Sequence, residues 1–194
     1  MNPAVSTAAV GTAPVGPTPL RLKVLDFVLL QAGWFACVLG AAHQLYWLGP
    51  AVVAFALALH MTFTPAPLRD LRTLCAVVVV GVLADLLMVA CGVLTFPGNA
   101  PRLGPLPIWI LVLWPLFGSN FHTTMGWLRN RLGLAAVLGA VGGPPGYVAA
   151  DRFGALELGQ PLTIALPALA AAWAVTLPLG VLIARRNHPD GTTP

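Results

Sequence analysis

Charged residues are scarce in this chain. Lys, Arg, Asp and Glu together make up 8% of its 194 residues, while 58% are hydrophobic. An ordinary soluble domain carries roughly 25% charged residues, so this chain has too little charge to cover a water-soluble surface. The composition excludes a soluble globular protein. Several apolar runs approach the roughly 20 residues that cross a bilayer as a helix.

Cysteine is also rare, and the common catalytic signatures are missing. The three cysteines, Cys37, Cys75 and Cys91, lie inside apolar runs and lack the spacing of a disulfide or zinc framework. The sequence contains no Walker loop, no GxSxG elbow and no GxGxxG motif. Hydrolases and nucleotide-driven enzymes are therefore disfavoured. The sequence implies no cofactor, and it leaves open whether the protein is an enzyme.

The apolar runs predict an all-α, polytopic membrane helical bundle. Short loops separate the runs, so consecutive helices are expected to be antiparallel neighbours in one domain over residues 21–186. Flexible tails are expected at residues 1–20, which are rich in Pro, Ala, Gly and Thr, and at residues 187–194. Six spans are predicted, at about Leu25–Leu45, Leu48–Thr64, Thr73–Leu94, Pro107–Met125, Leu132–Ala150 and Leu162–Ala184.

The basic residues predict how these spans are oriented. Lys and Arg near span ends are retained on the cytoplasmic side. With six spans, one side of the membrane holds only two of the ten basic residues, Arg102 and Arg152. Both termini are therefore expected in the cytoplasm. The other eight are Arg21, Lys23, Arg69, Arg72, Arg129, Arg131, Arg185 and Arg186. Because they occur as separated pairs and form no patch, a nucleic-acid partner is not expected.

Asp85 is the most informative single residue, because it lies near the middle of the apolar run VVVVGVLADLLMVACG. A charge at the bilayer centre costs at least about 2.5 kcal/mol. A protonated carboxyl, a partner on another helix or water in a cavity would offset this cost. Asp85 is therefore expected to face the interior of the bundle, either to fix helix packing or to form a functional site.

Few other strongly polar side chains lie within the predicted spans. Gln31, His60, Asn120 and His122 all fall in the halves of their spans that are closer to the cytoplasm. Together with Asp85 they predict a polar recess that opens inward, and the alternative is a separate structural role for each. A metal site from His60, His122 and Asp85 is conceivable, but no paired ligand spacing on one helix supports it. No metal is therefore predicted.

A double proline interrupts the fifth predicted span, in the stretch GAVGGPPGYVAADRFG. Pro144 and Pro145 have no amide hydrogen and leave two carbonyl groups without helical partners. Small residues spaced four apart allow helices to approach closely. We therefore predict a helix that kinks or unwinds between about Gly142 and Gly146. Its glycine face, which is expected to pack against the bundle, comprises Gly139, Gly142, Gly143 and Gly146.

Several stretches together resemble a known family. They are QAGWFACVLGAA, the LGP at residues 48–50, VLADLLMVACGVLTFPG and GAVGGPPGYVAADRFGALEL. They resemble a family of small bacterial inner-membrane proteins known only as a domain of unknown function, of the 2878 type. The resemblance runs from about Phe27 to Ile183. It implies a multi-pass protein of the bacterial inner membrane, with a loose genomic association with enzymes that modify membrane fatty acids.

Three functions remain open at this point. The first is a lipid-linked role, as an enzyme subunit or as an accessory that presents acyl chains of membrane lipids to other membrane proteins. The second is a small transporter or channel that uses Asp85, for which an intramembrane carboxylate and a broken helix are typical pointers. The third is a purely structural or assembly role in the membrane.

Overall fold

The computed structural model of the chain describes residues 20–187. The predicted tails therefore lie almost entirely outside the described residues. At the two boundaries, Leu20 is the first residue of a helix and Asn187 follows the last one. The structure is an all-α helical bundle, which confirms the predicted fold class.

The helices carry apolar sequence through most of their length. Four of them within residues 20–187 are long and apolar enough to cross a membrane, so the chain is an integral membrane protein. These four are α1 (Leu20–Ala42), α3 (Pro67–Ala90), α6 (Leu132–Phe153) and α7 (Leu162–Arg186). Shorter helices are α2 (Leu48–Phe63), α4 (Ile108–Leu111) and α5 (Leu113–Gly118). The number of membrane crossings and their orientation stay predictions.

The fourth predicted span is not one continuous helix. α4 ends at Leu111, and Pro115 lacks the N–H group that would bond to the Leu111 carbonyl in a continuous helix. α5 ends at Gly118, where the side chains of Ser119 and Asn120 both donate hydrogen bonds to the Leu116 carbonyl. Such local bonds compete with helix formation. Turns and a 3₁₀ helix at Gly126–Leu128 complete the segment up to α6.

Two small antiparallel strand pairs close one end of the bundle. β1 (Leu94–Thr95) pairs with β4 (Glu157–Leu158), which joins the segment after α3 to the segment before α7. β2 (Arg102–Leu103) pairs with β3 (Leu106–Pro107). Within the bundle, α6 packs along α7, and α1 packs along α2. Helix α3 contacts both α5 and α7. The cavity described below lies among α1, α3, α4, α5, α6 and α7.

The double proline lies within a helix that remains continuous. Residues 142–146 are α-helical within α6, so this stretch does not unwind, and the alternative of a kink stays a prediction. Each proline removes the hydrogen bond of its own amide, and its ring crowds the carbonyl four residues earlier. The helix nevertheless continues, and it packs along α7. A Cβ atom at Gly139 would overlap the backbone of Trp173 on α7, and one at Gly143 would overlap the Trp173 ring. Gly139 and Gly143 therefore bring α6 and α7 into close contact. The predicted packing is wrong for Gly142, which is exposed and whose added Cβ atom would meet nothing within 4 Å. A Cβ atom at Gly146 would approach Trp34 on α1, at 3.9 Å.

This contact gives a testable difference between two neighbouring glycines. We expect Gly139→Ala to lower the free energy of unfolding by about 1–3 kcal/mol, because the new methyl group overlaps backbone that cannot swing aside. Gly142→Ala is the matched control, since a Cβ atom there meets nothing within 4 Å. Alanine is the better helix former, so this control should be neutral or slightly stabilising. Thermal unfolding in detergent measures both, and equal effects of the two changes would contradict the packing.

Candidate functional site

Asp85 is fully buried and is bonded to two other helices. Its side chain is 1% exposed. The indole N–H of Trp114 on α5 donates a hydrogen bond to Oδ2 over 2.7 Å, and the hydroxyl of Tyr147 on α6 donates to Oδ1 over 2.9 Å. Donors from two helices thus offset the removal of the carboxylate from water.

Glycine on α3 makes room for one of these donors. Gly81 lies one turn before Asp85, and a Cβ atom there would overlap the Trp114 ring. The absence of a side chain at this position lets the indole lie flat against α3 with its N–H group toward Asp85. Trp114 is also stacked on Trp173, with ring centroids 5.5 Å apart and planes at 24°.

These side chains border a cavity of about 420 Å³. Aromatic and aliphatic side chains form most of its wall, and the glycines of α6 form one side. Gln31 and Asp85 both line it, so the structure brings these two predicted site residues together. The principal lining side chains are Leu30, Gln31, Trp34, Asp85, Trp109, Trp114, Phe117, Tyr147 and Trp173, together with Gly139, Gly142, Gly143 and Gly146. Pro144 and Pro145 are not among the residues that line it.

His60 lies in a different polar cluster, where it bridges two aspartates. Its Nδ1 is 2.9 Å from Oδ1 of Asp26 on α1, and its Nε2 is 3.2 Å from Oδ2 of Asp70 on α3. All three side chains are 1% exposed. Arg69 donates to Oδ1 of Asp70 over 2.8 Å, and the hydroxyl of Thr64 donates to Oδ2. When both ring nitrogens of His60 carry hydrogen, each can donate to a carboxylate, and α1, α2 and α3 are bonded together.

His122 approaches the same cluster from the segment after α5. Its Nε2 is 2.8 Å from the hydroxyl oxygen of Thr73 and 3.9 Å from Oδ1 of Asp70. The amide of Asn187, just after α7, donates to the same Thr73 hydroxyl over 3.0 Å. His60 and His122 are therefore close to each other through Asp70. They do not line the cavity beside Asp85.

Asn120 has only local partners. Its amide donates to the Leu116 carbonyl over 3.1 Å, and its Oδ1 accepts a hydrogen bond from the Thr124 hydroxyl over 2.7 Å. The five predicted recess residues are thus divided among the cavity, the cluster around Asp70 and this turn. Among residues 20–187, no group of three His, Cys, Asp or Glu side chains is arranged to hold a metal ion.

Sequence analysis missed two buried carboxylates and a tyrosine. Asp26 and Asp70 lie close to span ends and beside basic residues, so they resemble ordinary interfacial charges. The available signal for Asp26 was that it is the only acidic residue in its apolar run. Tyr147 follows the double proline, and only the fold places its hydroxyl against Asp85, 62 residues earlier in the chain.

The cluster around Asp70 predicts a large effect of a single substitution. We expect Asp70→Ala to lower the free energy of unfolding by about 3–5 kcal/mol, because it leaves His60, Thr64 and Arg69 without their shared acceptor in a buried site. Glu157→Ala is the control, because Glu157 is exposed and most surface changes stay within about 0.5 kcal/mol. The measurement is thermal unfolding in detergent. A loss no larger than that of the control would contradict this account of the cluster.

Comparison with known proteins gives one match. The model of the family described as "Protein of unknown function (DUF2878)" matches residues 23–179. No curated protein and no solved structure matches this chain. The family match confirms the resemblance found in the sequence and covers most of the chain. The protein therefore belongs to the DUF2878 family of proteins of unknown function.

Proposed function

We propose that this membrane protein binds a fatty-acyl chain in the cavity beside Asp85 and acts in the modification of membrane lipids, as an enzyme subunit or an accessory. The observation that carries the proposal is the cavity itself, which combines a largely apolar, aromatic wall with a few polar side chains. Sites for small apolar molecules have this character: an apolar lining gives affinity, and a few polar groups fix orientation.

The shape of the cavity suits a long chain. Its wall on α6 extends from Leu138 to Ala150. At a rise of about 1.5 Å per residue, these twelve steps correspond to about 18 Å of helix axis. The hydrocarbon core of a bilayer is about 30 Å thick, so the cavity is longer than half of that thickness. An extended acyl chain lying along the glycine face of α6 would remain in an apolar environment over its whole length.

Two side chains of the cavity wall can bind the polar end of such a ligand. Within residues 20–187, the indole N–H of Trp34 and the amide of Gln31 hydrogen-bond to no other residue, and both side chains line the cavity. Each is a donor, and the oxygen atoms of an acyl ester or carboxyl group are acceptors. Trp34 and Gln31 lie three residues apart on α1, which places them on the same face of that helix. We assign to them the binding of the acyl carbonyl group.

Asp85 has a positioning role in this proposal. It holds Trp114 and Tyr147 through one hydrogen bond each and thereby fixes two aromatic side chains of the cavity wall. Transport of a cation by Asp85 is the alternative. Both oxygens already accept a hydrogen bond from the protein, and the side chain is almost completely buried. These contacts favour the positioning role.

The location that we propose is the bacterial inner membrane, with both termini in the cytoplasm. The basic residues support this orientation, because eight of the ten flank predicted span ends on one side. The membrane is also the source of the proposed ligand, since an acyl chain can enter a cavity between helices directly from the bilayer.

Photolabelling of the purified full-length protein tests the binding of an acyl chain. We expect a diazirine-bearing fatty acid to label the wild type, and Gly142→Leu to reduce labelling at least about fivefold by filling the cavity. Gly133→Leu is the matched control. A Cβ atom at either glycine meets nothing within 4 Å, but only Gly142 lines the cavity. Equal labelling of the two variants would contradict binding in this cavity.

The link to lipid modification is tested separately in the native organism. We expect a deletion strain to differ from the parent strain in the fatty-acyl composition of its membrane lipids, as measured by mass spectrometry. Wild-type protein should restore the parental composition, whereas Gly142→Leu, at the same protein level, should not. An unchanged lipid profile in the deletion strain would contradict the link to lipid modification and leave acyl binding to be judged by photolabelling.

A further inference from the structure

The outer face of α6 carries a second feature, which is distinct from the cavity. An apolar groove lies between α6 and α7 and is bounded on α6 by the double proline and on α7 by Pro167. The residues that line it are Ala140, Val141, Pro144, Pro145, Val148, Ala149, Arg152, Leu166, Pro167 and Ala170. The groove and the cavity share no lining residue, although α6 contributes to both. The glycine face of α6 lines the cavity, and its proline face lines the groove.

Arg152 is the only charged residue in this groove. Its side chain is exposed, and within residues 20–187 it makes no hydrogen bond or ion pair. Arg102 is the other basic residue on the same predicted side of the membrane, and its guanidinium already has partners. It donates hydrogen bonds to the carbonyls of Phe96, Gly98 and Pro105. Arg152 thus retains its full capacity to bind an anion, and a guanidinium can bind phosphate through two hydrogen bonds.

The position of Arg152 matches the level of lipid headgroups. α6 has 22 residues, which corresponds to about 33 Å of helix and spans the roughly 30 Å of bilayer hydrocarbon. Arg152 is in its last turn, followed by Phe153 and by Gly154 in the left-handed conformation that ends the helix. When α6 crosses the bilayer as predicted, the guanidinium lies at the level of the phosphate groups of one leaflet.

The length of the groove matches one lipid chain. From Ala140 to Arg152 there are twelve steps along α6, or about 18 Å at a rise of about 1.5 Å per residue. Half of the bilayer hydrocarbon is about 15 Å thick. An acyl chain that begins beside Arg152 and follows the groove would therefore end near the middle of the bilayer. The small side chains Ala149 and Ala170 and the rigid prolines keep this path open.

The first turn of α7 also favours a negative charge at the Arg152 end of the groove. Leu166 and Pro167 line the groove, and Thr163 lies one turn earlier on the same face of α7. The first N–H groups of a helix have no partner within it and favour a negative charge. A phosphate group beside Arg152 would be close to this N-terminal turn.

We propose that the groove binds an anionic phospholipid, with the phosphate at Arg152 and one acyl chain along the proline face of α6. This site is independent of the acyl-binding cavity and would be occupied by an intact membrane lipid. The double proline contributes its shape: the two rings form a shallow, rigid floor on a helix that remains continuous.

Native mass spectrometry of the full-length protein in detergent tests this proposal. The probes are phosphatidylglycerol and phosphatidylcholine with the same acyl chains. We expect the wild type to prefer phosphatidylglycerol, and Arg152→Gln to lower its affinity about fivefold. This factor follows from about 1 kcal/mol per basic residue near a charged lipid surface. The loss for phosphatidylcholine should be smaller, because its choline cation offsets the charge of the phosphate that Arg152 contacts. Arg152→Lys should retain most of the preference and shows that the position tolerates substitution.

Two further variants separate the parts of the site. Arg102→Gln removes one charge at the same end but outside the groove, and it should leave the preference unchanged. Ala149→Phe, which narrows the groove, should weaken both lipids, whereas Ala171→Phe on an exposed face of α7 should weaken neither.

The proposal is overturned if Arg152→Gln and Arg102→Gln have equal effects, or if the wild type binds both lipids alike. Displacement of phosphatidylglycerol by excess inorganic phosphate would also overturn it, because the site would then bind a free anion and not a lipid. Photolabelling of Arg152→Gln with the diazirine fatty acid keeps this outcome distinct from the cavity. That labelling should equal the wild type whether or not the groove binds phospholipid.

Discussion

A buried carboxylate within a membrane bundle must find its hydrogen-bond donors inside the protein, and this requirement organises the helices. Lipid offers no donors, and an isolated charge at bilayer depth costs at least about 2.5 kcal/mol. Asp85 meets the requirement by bonding α3 to α5 and α6. Asp70 and one oxygen of Asp26 meet it through His60, which bonds α1, α2 and α3 together. The other oxygen of Asp26, Oδ2, is buried without a partner among residues 20–187. These polar side chains therefore bond α1 to α2 and α3, and α3 to α5 and α6, whereas α6 and α7 meet through the close contact of Gly139 and Gly143 with Trp173.

Glycine and proline on α6 act on opposite sides of one helix. Gly139 and Gly143 approach α7, and together with Gly142 and Gly146 they line the cavity, while Pro144 and Pro145 form part of the outer groove. The close contact of Gly139 and Gly143 with Trp173 fixes that ring, and Trp173 in turn stacks on Trp114, the donor to Asp85. A chain of direct contacts thus joins the glycines of the cavity wall, through Trp173 and Trp114, to the carboxylate of Asp85. This arrangement gives the proposed acyl chain a preformed path.

The sequence predicted those features that depend on composition and on single residues. Low charge and long apolar runs predicted the all-α membrane bundle, and the central position of Asp85 predicted its interior orientation. Hydropathy failed at residues 107–125, because it does not register how Pro115, Ser119 and Asn120 end a helix. It also failed for Asp70, which lies beside Arg69 in sequence and looks like a surface charge. Apart from Arg69, the hydrogen-bond partners of Asp70 are His60 and Thr64, which approach α3 only in the fold. At Pro144 and Pro145 the sequence predicted a kink or an unwinding, and the helix does not unwind there.

The central claim is that the cavity beside Asp85 holds an acyl chain, and the position of a photolabel along the chain tests it most directly. The diazirine fatty acid would be crosslinked to the wild-type protein in bilayer vesicles, and the modified residues identified by peptide mass spectrometry. We predict modification of residues that line the cavity, such as Trp34, Trp114 and Tyr147. Modification confined to outward-facing residues such as Val79 and Leu83, with none in the cavity, would contradict the account.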